Sequence, residues 1–129
     1  MRLLVCGSRD YADRDTLFKV LDQIGIRNRG KIEVLIEGEA RGADTLAREW
    51  AESYDIPVMK FPADWERYGK LAGPVRNAQM IAEGEPTLVV AFLSKPMDQS
   101  GGTRNMVKLA RYANLEVIVI NHHGERESG

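Results

Sequence analysis

Short apolar runs alternate with longer amphipathic stretches along the chain. Leu3 to Cys6 is continuously apolar and stops at Gly7, as expected of a strand buried on both faces. From Asp13 to Ile26, Leu17, Val20, Leu21 and Ile24 fall at steps of three and four, which predicts a helix with one apolar stripe. Ile32 to Ile36 reads as a second strand. Ala43, Leu46, Ala47, Trp50, Ala51 and Tyr54 then mark the clearest helical stripe. Pro57 to Phe61 is a third strand, and Pro62 to Gly73 is irregular but carries Trp65 and Tyr68. Pro74 to Glu83 is helical, with Pro74 suited to a first turn and Gly84 to the end. Leu88 to Phe92 is a fourth strand, Ser94 to Gly101 a loop, and Met106, Leu109, Ala110 and Ala113 mark a last helix. Glu116 to Ile120 closes as a fifth strand.

This alternation predicts a single three-layer Rossmann-like α/β domain. About five parallel strands carry helices on both faces, with strand one central beside strand four. The domain spans residues 1–121, and 122–129 is a polar, flexible tail. Ligands of such sheets bind beyond the carboxyl ends of the strands, which selects the loops after Cys6, Glu37, Phe61 and Phe92.

Those loops hold the candidate chemistry. The first reads Gly7-Ser8-Arg9-Asp10; the second runs from Gly38 through Glu39, Ala40, Arg41, Gly42 and Ala43 to Asp44 and opens a helix. The loop after strand four ends Ser100-Gly101-Gly102-Thr103-Arg104-Asn105, again at a helix start. Free amides and the helix dipole make such starts potential phosphate cradles. Arg9, Arg41, Arg76 and Arg104 add planar, permanently charged forks. Asp44 is suited either to a ligand or to its own helix start, where a carboxylate meets the dipole. Trp65 or Tyr68 is placed to cover a base, and Trp65 serves equally as a dimer contact or a core plug.

Composition narrows the classes. The 129 residues are 43% hydrophobic and 29% charged, an ordinary globular balance. A net charge of −1 supplies no global field toward nucleic acid or anionic membrane, so an anion site has to be local. Cys6 stands alone, which excludes an internal disulfide, fits a cytoplasmic setting and more often means packing than nucleophilic chemistry. No apolar run approaches the roughly 20 residues that span a bilayer. No Walker or G-x-G-x-x-G pattern occurs. His122 and His123 lack metal-ligand spacing, so neither a metal nor a cofactor is expected.

Several segments in order resemble the YspA-type, cpYpsA-related branch of the SLOG superfamily. They are Gly7-Ser8-Arg9, Gly38 through Asp44 with Leu46-Ala47, Asp64-Trp65, Gly69-Lys70-Ala72-Gly73, Arg76-Asn77 with Met80, and Ser100 to Thr103. The resemblance implies a Rossmann-like domain of bacteria and their phages that binds a small nucleotide: a nucleoside monophosphate, ADP-ribose or an NAD derivative. The sheet-edge loops and this resemblance together give the expected ligand residues as Gly7, Ser8, Arg9, Gly38, Arg41, Gly42, Asp44, Arg76, Asn77, Gly101, Gly102, Thr103 and Arg104. The related Lonely Guy phosphoribohydrolases carry an Arg-Lys pair with a later Met, and then P-G-G-x-G-T-x-x-E. Arg76-Asn77 with Met80, and Gly101-Gly102-Thr103, are similar to these two elements. The catalytic glutamate falls near Asn105 or Met106, neither a carboxylate.

An N-glycosidase therefore needs a carboxylate from elsewhere to stabilise an oxocarbenium-like state; Glu37, Glu39, Asp44, Asp64 or Asp98 could supply it from another loop, with Glu37, Glu39 and Asp98 the foremost candidates. Single-stranded nucleic-acid binding, known in the DNA-processing DprA relatives, has no basic stripe here to support it. The expected partner is a small nucleotide, with no membrane and with a homodimer admitted.

Overall fold

The computed structural model describes residues 1–127. Its elements are β1 (Arg2–Gly7), α1 (Arg14–Arg27), β2 (Val34–Glu37), α2 (Ala43–Ser53), β3 (Val58–Lys60), α3 (Trp65–Tyr68), α4 (Ala72–Gly84), β4 (Leu88–Phe92), α5 (Gly101–Tyr112) and β5 (Glu116–Ile120). Two 3₁₀ turns, Gly69–Leu71 and Met97–Gln99, precede α4 and α5. The strands form one sheet in the order β3-β2-β1-β4-β5, and every pairing is parallel. Strand one is thus central and beside strand four, as the apolar runs predict.

Alternation along the strands sorts the core into two layers. Leu3 and Val5 of β1, Leu35 of β2 and Val90 of β4 pack with Leu17 and Leu21 of α1 and with Ala47 and Trp50 of α2. Leu4 and Cys6, Ile36, Val89 and Ala91 face the other way, against Met80 of α4 and Met106, Val107 and Ala110 of α5. Trp50 is almost wholly buried, and its indole N–H donates to Asp22 Oδ1 at 2.9 Å, so the largest core side chain leaves no polar atom unpaired.

The structure corrects several expected boundaries. The stretch 62–73, read as irregular, contains α3, a 3₁₀ turn and the start of α4. Asp64 caps α3 by accepting from the Arg67 amide at 3.1 Å, a device too short to leave a helical period in the sequence. α4 begins at Ala72 rather than Pro74, and Gly84 is its last residue, with left-handed Glu85 as its cap. β2 begins at Val34 rather than Ile32. Beyond β5 the chain turns at residues 121–125, and Arg126 bridges back to Ile120 in antiparallel sense. Of the segment expected as a tail, Ser128 and Gly129 lie outside the described residues.

Candidate functional site

The carboxyl ends of β1, β2 and β4 bring the selected loops to one edge of the sheet. Gly7 ends β1 where three backbones converge: a Cβ there would overlap the Phe92 carbonyl and lie 2.6 Å from the Ala43 Cβ. Ser8 follows as a cross-link. Its amide donates to the Phe92 carbonyl at 3.0 Å, and its hydroxyl oxygen accepts from the Ser94 amide at 3.0 Å. Arg9 then leaves the sheet and lays its guanidinium 5.1 Å from the centroid of the Trp65 ring, a cation–π contact.

The second loop is held from both sides. Glu39 and Gly42 adopt positive φ, 53° and 75°, and a Cβ on Gly42 would run into the Ser8 and Arg9 backbone. Asp44 Oδ2 accepts from the amides of Gly38 at 3.0 Å and Ala40 at 3.2 Å. Arg76 Nη1 donates to the Gly38 carbonyl at 2.6 Å, and Arg76 Nε to Asn77 Oδ1 at 3.0 Å. Asn77 Nδ2 in turn donates to the Gly102 carbonyl at 3.2 Å and Asn105 Oδ1 at 2.9 Å. Adjacent side chains of α4 thereby fasten both glycine loops.

Between these loops lies a cavity of about 640 Å³ lined by Arg9, Lys70, Arg76 and Lys95 as cations and by Asp10 and Asp44 as carboxylates. Trp65, Cys6, Met80 and the first turn of α5 complete its wall. The leading amides of a helix have no intrahelical acceptor, so Gly101, Gly102 and Thr103 are placed to offer theirs to the space. A Cβ on Gly101 or Gly102 would meet nothing within 4 Å; that side of the helix start is open.

Burial sets the protonation tendencies. It pushes the Asp44 carboxyl above its ordinary range, against the amides of Ala40 and Gly38 and the Arg76 charge. It lowers Arg76, which the Asp44 charge opposes. It also raises the Cys6 thiol, helped by the Asp44 charge, so Cys6 is held as a neutral thiol, the unreactive form. Asp10 moves the other way, because the Ser94 hydroxyl donates to it.

The cavity brings together Gly7, Ser8, Arg9, Asp44, Arg76, Asn77, Gly101, Gly102 and Thr103. Gly38, Glu39 and Arg41 line an adjoining cavity of about 380 Å³, which shares Arg9, Trp65 and Arg76 with the first. Gly42, Tyr68, Asp98 and Arg104 line neither. Glu37 lies on the opposite side of the sheet. Ile36 faces the α4–α5 layer where the cavity opens, so its neighbour Glu37 points to α2, fully buried, with Oε2 3.4 Å from Arg48 Nη1. Lys70, Lys95, Asp10 and Asn105 are lining residues that the sequence did not single out for this role. Lys70 stood within the Gly69–Gly73 motif, and Asp10 ended the first loop; Lys95 carried no local signal. Asn105, where the Lonely Guy resemblance would put a glutamate, presents an amide bonded to Asn77.

No described helix is long and apolar enough to cross a membrane. A family model described as YspA, cpYpsA-related SLOG family matches residues 1–68, which hold the first two glycine loops and α3. The Gene 61 protein of Mycobacterium phage D29 is 37% identical over 123 residues, 91% of this chain and 94% of that protein. No solved structure matches.

Proposed function

The chain belongs to the YspA, cpYpsA-related SLOG family, and from that premise we propose that it binds a small nucleotide or nucleotide-derived ligand at the carboxyl edge of its sheet. The observation that carries this reading is the cavity itself. It gathers Arg9, Lys70, Arg76 and Lys95 with the open first turn of α5 and the face of Trp65. A volume of about 640 Å³ falls in the range of small-molecule sites. In this reading Arg9, Lys70 and Lys95 meet phosphate oxygens, the Gly101–Thr103 amides cradle a phosphate, and Trp65 covers the base. Arg76 spends donors on Gly38 and Asn77, so it shapes the cradle as well as charging it. The ligand is a nucleoside monophosphate, ADP-ribose or an NAD derivative.

The same geometry supports binding above turnover. Glu37 faces the other core layer, Asp98 is outside the lining, Glu39 lines only the adjoining cavity, and Asn105 is an amide. Of the two carboxylates on the cavity wall, Asp44 is taken up by the Gly38 and Ala40 amides and Asp10 by the Ser94 hydroxyl. A positioned carboxylate acid or base is worth roughly two to four powers of ten in rate.

The experiment is mass spectrometry of small molecules released from the purified chain, followed by calorimetry with the nucleotide found. Arg9→Ala and Lys70→Ala each remove a charge-assisted contact of roughly 1.5–3 kcal/mol and should weaken binding about tenfold or more. Unchanged affinity in both, with the fold intact by circular dichroism, refutes the site. Release of free base from a nucleoside monophosphate faster than about 1 s⁻¹ overturns the binding-only reading in favour of a glycosidase.

A further inference from the structure

We propose that Asn105 is a ligand-binding residue: its side-chain amide donates to an oxygen of the phosphate held at the start of α5, and Asn77 fixes it in that orientation. This deepens the nucleotide reading above and rests on it. The two asparagines belong to a hydrogen-bonded chain whose ends decide its polarity. Arg76 Nε donates to Asn77 Oδ1 at 3.0 Å, and a guanidinium has no lone pair with which to accept. Asn77 Nδ2 donates to the Gly102 carbonyl at 3.2 Å, which has no proton to give. Asn77 can therefore sit in only one of its two amide orientations.

Asn105 inherits that polarity. Asn77 Nδ2 meets Asn105 Oδ1 at 2.9 Å, so the oxygen of Asn105 faces α4 and its nitrogen is left over. Asn77 is buried, Asn105 is half-buried, and both line the larger cavity. Asn105 Nδ2 has no hydrogen-bond partner among the described residues, yet none of their buried side-chain nitrogens or oxygens goes unpartnered. Nδ2 is therefore open, and the cavity is the space it borders. Arg76 stands likewise at the other end of the chain. Its Nε and Nη1 are spent on Asn77 and Gly38, while Nη2 has no partner among the described residues and belongs to the same cavity wall. One buried amide thus orients two donors toward one space.

Position along the helix selects the group they meet. Gly101 and Gly102 precede Asn105 by one turn and share its face, and helical side chains lean toward the N-terminus. The Asn105 amide is therefore set beside the first turn of α5, where Asn77 Nδ2 reaches both it and the Gly102 carbonyl. The bare Gly101 and Gly102 leave the neighbouring space open. Arg76 Nη2, Asn105 Nδ2 and the leading amides of α5 all give protons and accept none. A phosphate near pH 7 carries acceptors and almost no proton to donate, so it satisfies every one of them. A carboxylate at position 105 would instead face it with like charge.

Asn105→Asp isolates the contact. The carboxylate still accepts from Asn77 Nδ2 and suits a helix start, so thermal unfolding should match the native chain while the cavity-facing atom changes from donor to anion. Calorimetry with the ribonucleoside 5′-monophosphates, ADP-ribose and the free nucleosides should show the nucleotide that the native chain binds weakened at least tenfold in the variant. Affinity for the corresponding nucleoside should stay unchanged. In isotope-labelled native chain, the side-chain amide signals that Asn105→Asp removes from the nuclear magnetic resonance spectrum should shift on adding that nucleotide. Equal affinity in the two proteins, or unmoved Asn105 signals, overturns the contact. Tighter nucleotide binding by Asn105→Asp overturns the phosphate assignment, because the ligand would then be donating a proton at this point. Equal weakening of nucleotide and nucleoside, with a lowered melting temperature, makes Asn105 structural only and overturns its role toward the ligand. A native chain that binds none of these ligands fails the nucleotide reading itself and takes this contact with it.

Discussion

Asp44 enters α2 in its first turn, yet its carboxylate points back along the chain to the amides of Gly38 and Ala40. Ligand contact and helix-start stabilisation were equal readings of this residue in the sequence; the structure adds a third role, pinning the loop. Burial holds its folded-state acidity constant above the ordinary carboxylate value. A raised value means the folded chain binds the proton more tightly than the unfolded chain. The corresponding stability is fully present below about pH 4, the ordinary Asp value, and is lost as pH rises through the raised value. Asp44→Asn keeps an oxygen for both amides and has no proton to titrate. In urea titrations across a pH series, the stability of the native chain relative to Asp44→Asn should therefore fall as pH rises above about 4, then level off. A difference constant with pH would mean that Asp44 is not desolvated as described. Glu37 is raised chiefly by burial, which both proteins share, and in part by the Asp44 charge; that second part is lost in Asp44→Asn and changes with pH in the same direction.

At the scale of elements, α3 shows how four residues can carry a site. Asp64 accepts from the Arg67 amide, Gly69 closes the turn at φ 54°, and Trp65 is thereby set under Arg9. Asp64→Ala should cost about 1 kcal/mol of cap energy, concentrated in this turn. Hydrogen exchange at residues 65–71 should accelerate while the amides of β1 and β4 stay as protected as before; uniform protection throughout would count against the cap. The turn escaped the sequence because a 3.6-residue period cannot register in four residues, although Asp64 three positions before Arg67 was the available sign. Longer elements were legible. The stripe from Ala43 to Tyr54 anticipates α2 to within one residue, and Leu88–Phe92 and Glu116–Ile120 are the strands as read. For the site, the glycine loops were legible because a parallel sheet delivers strand ends to one edge. Side-chain direction was not. Glu37 ends its strand beside the site, but the two-residue alternation turns it to the other layer, and Lys95 arrives only through the pairing of β1 with β4.

At the scale of the whole molecule, two core layers and one sheet leave two strand edges. β3 is three residues long, too short to offer much of a ladder. β5 is five residues long and lies at the other end of the order. There the returning chain meets it: the Glu127 amide donates to the Val119 carbonyl at 2.9 Å, and the Asn121 amide to the Glu125 carbonyl at 2.8 Å. Asn121 Oδ1 fixes the turn by accepting from the amides of His123 and Glu125. An uncovered edge is a template for a further strand from another molecule. A chain ending at Ile120 should keep its circular dichroism spectrum but scatter light increasingly with time and concentration; a clear, stable solution would show the return to be dispensable. The last turn of the described chain thus acts on colloidal behaviour rather than on the cavity: it occupies the place where filament growth would otherwise begin.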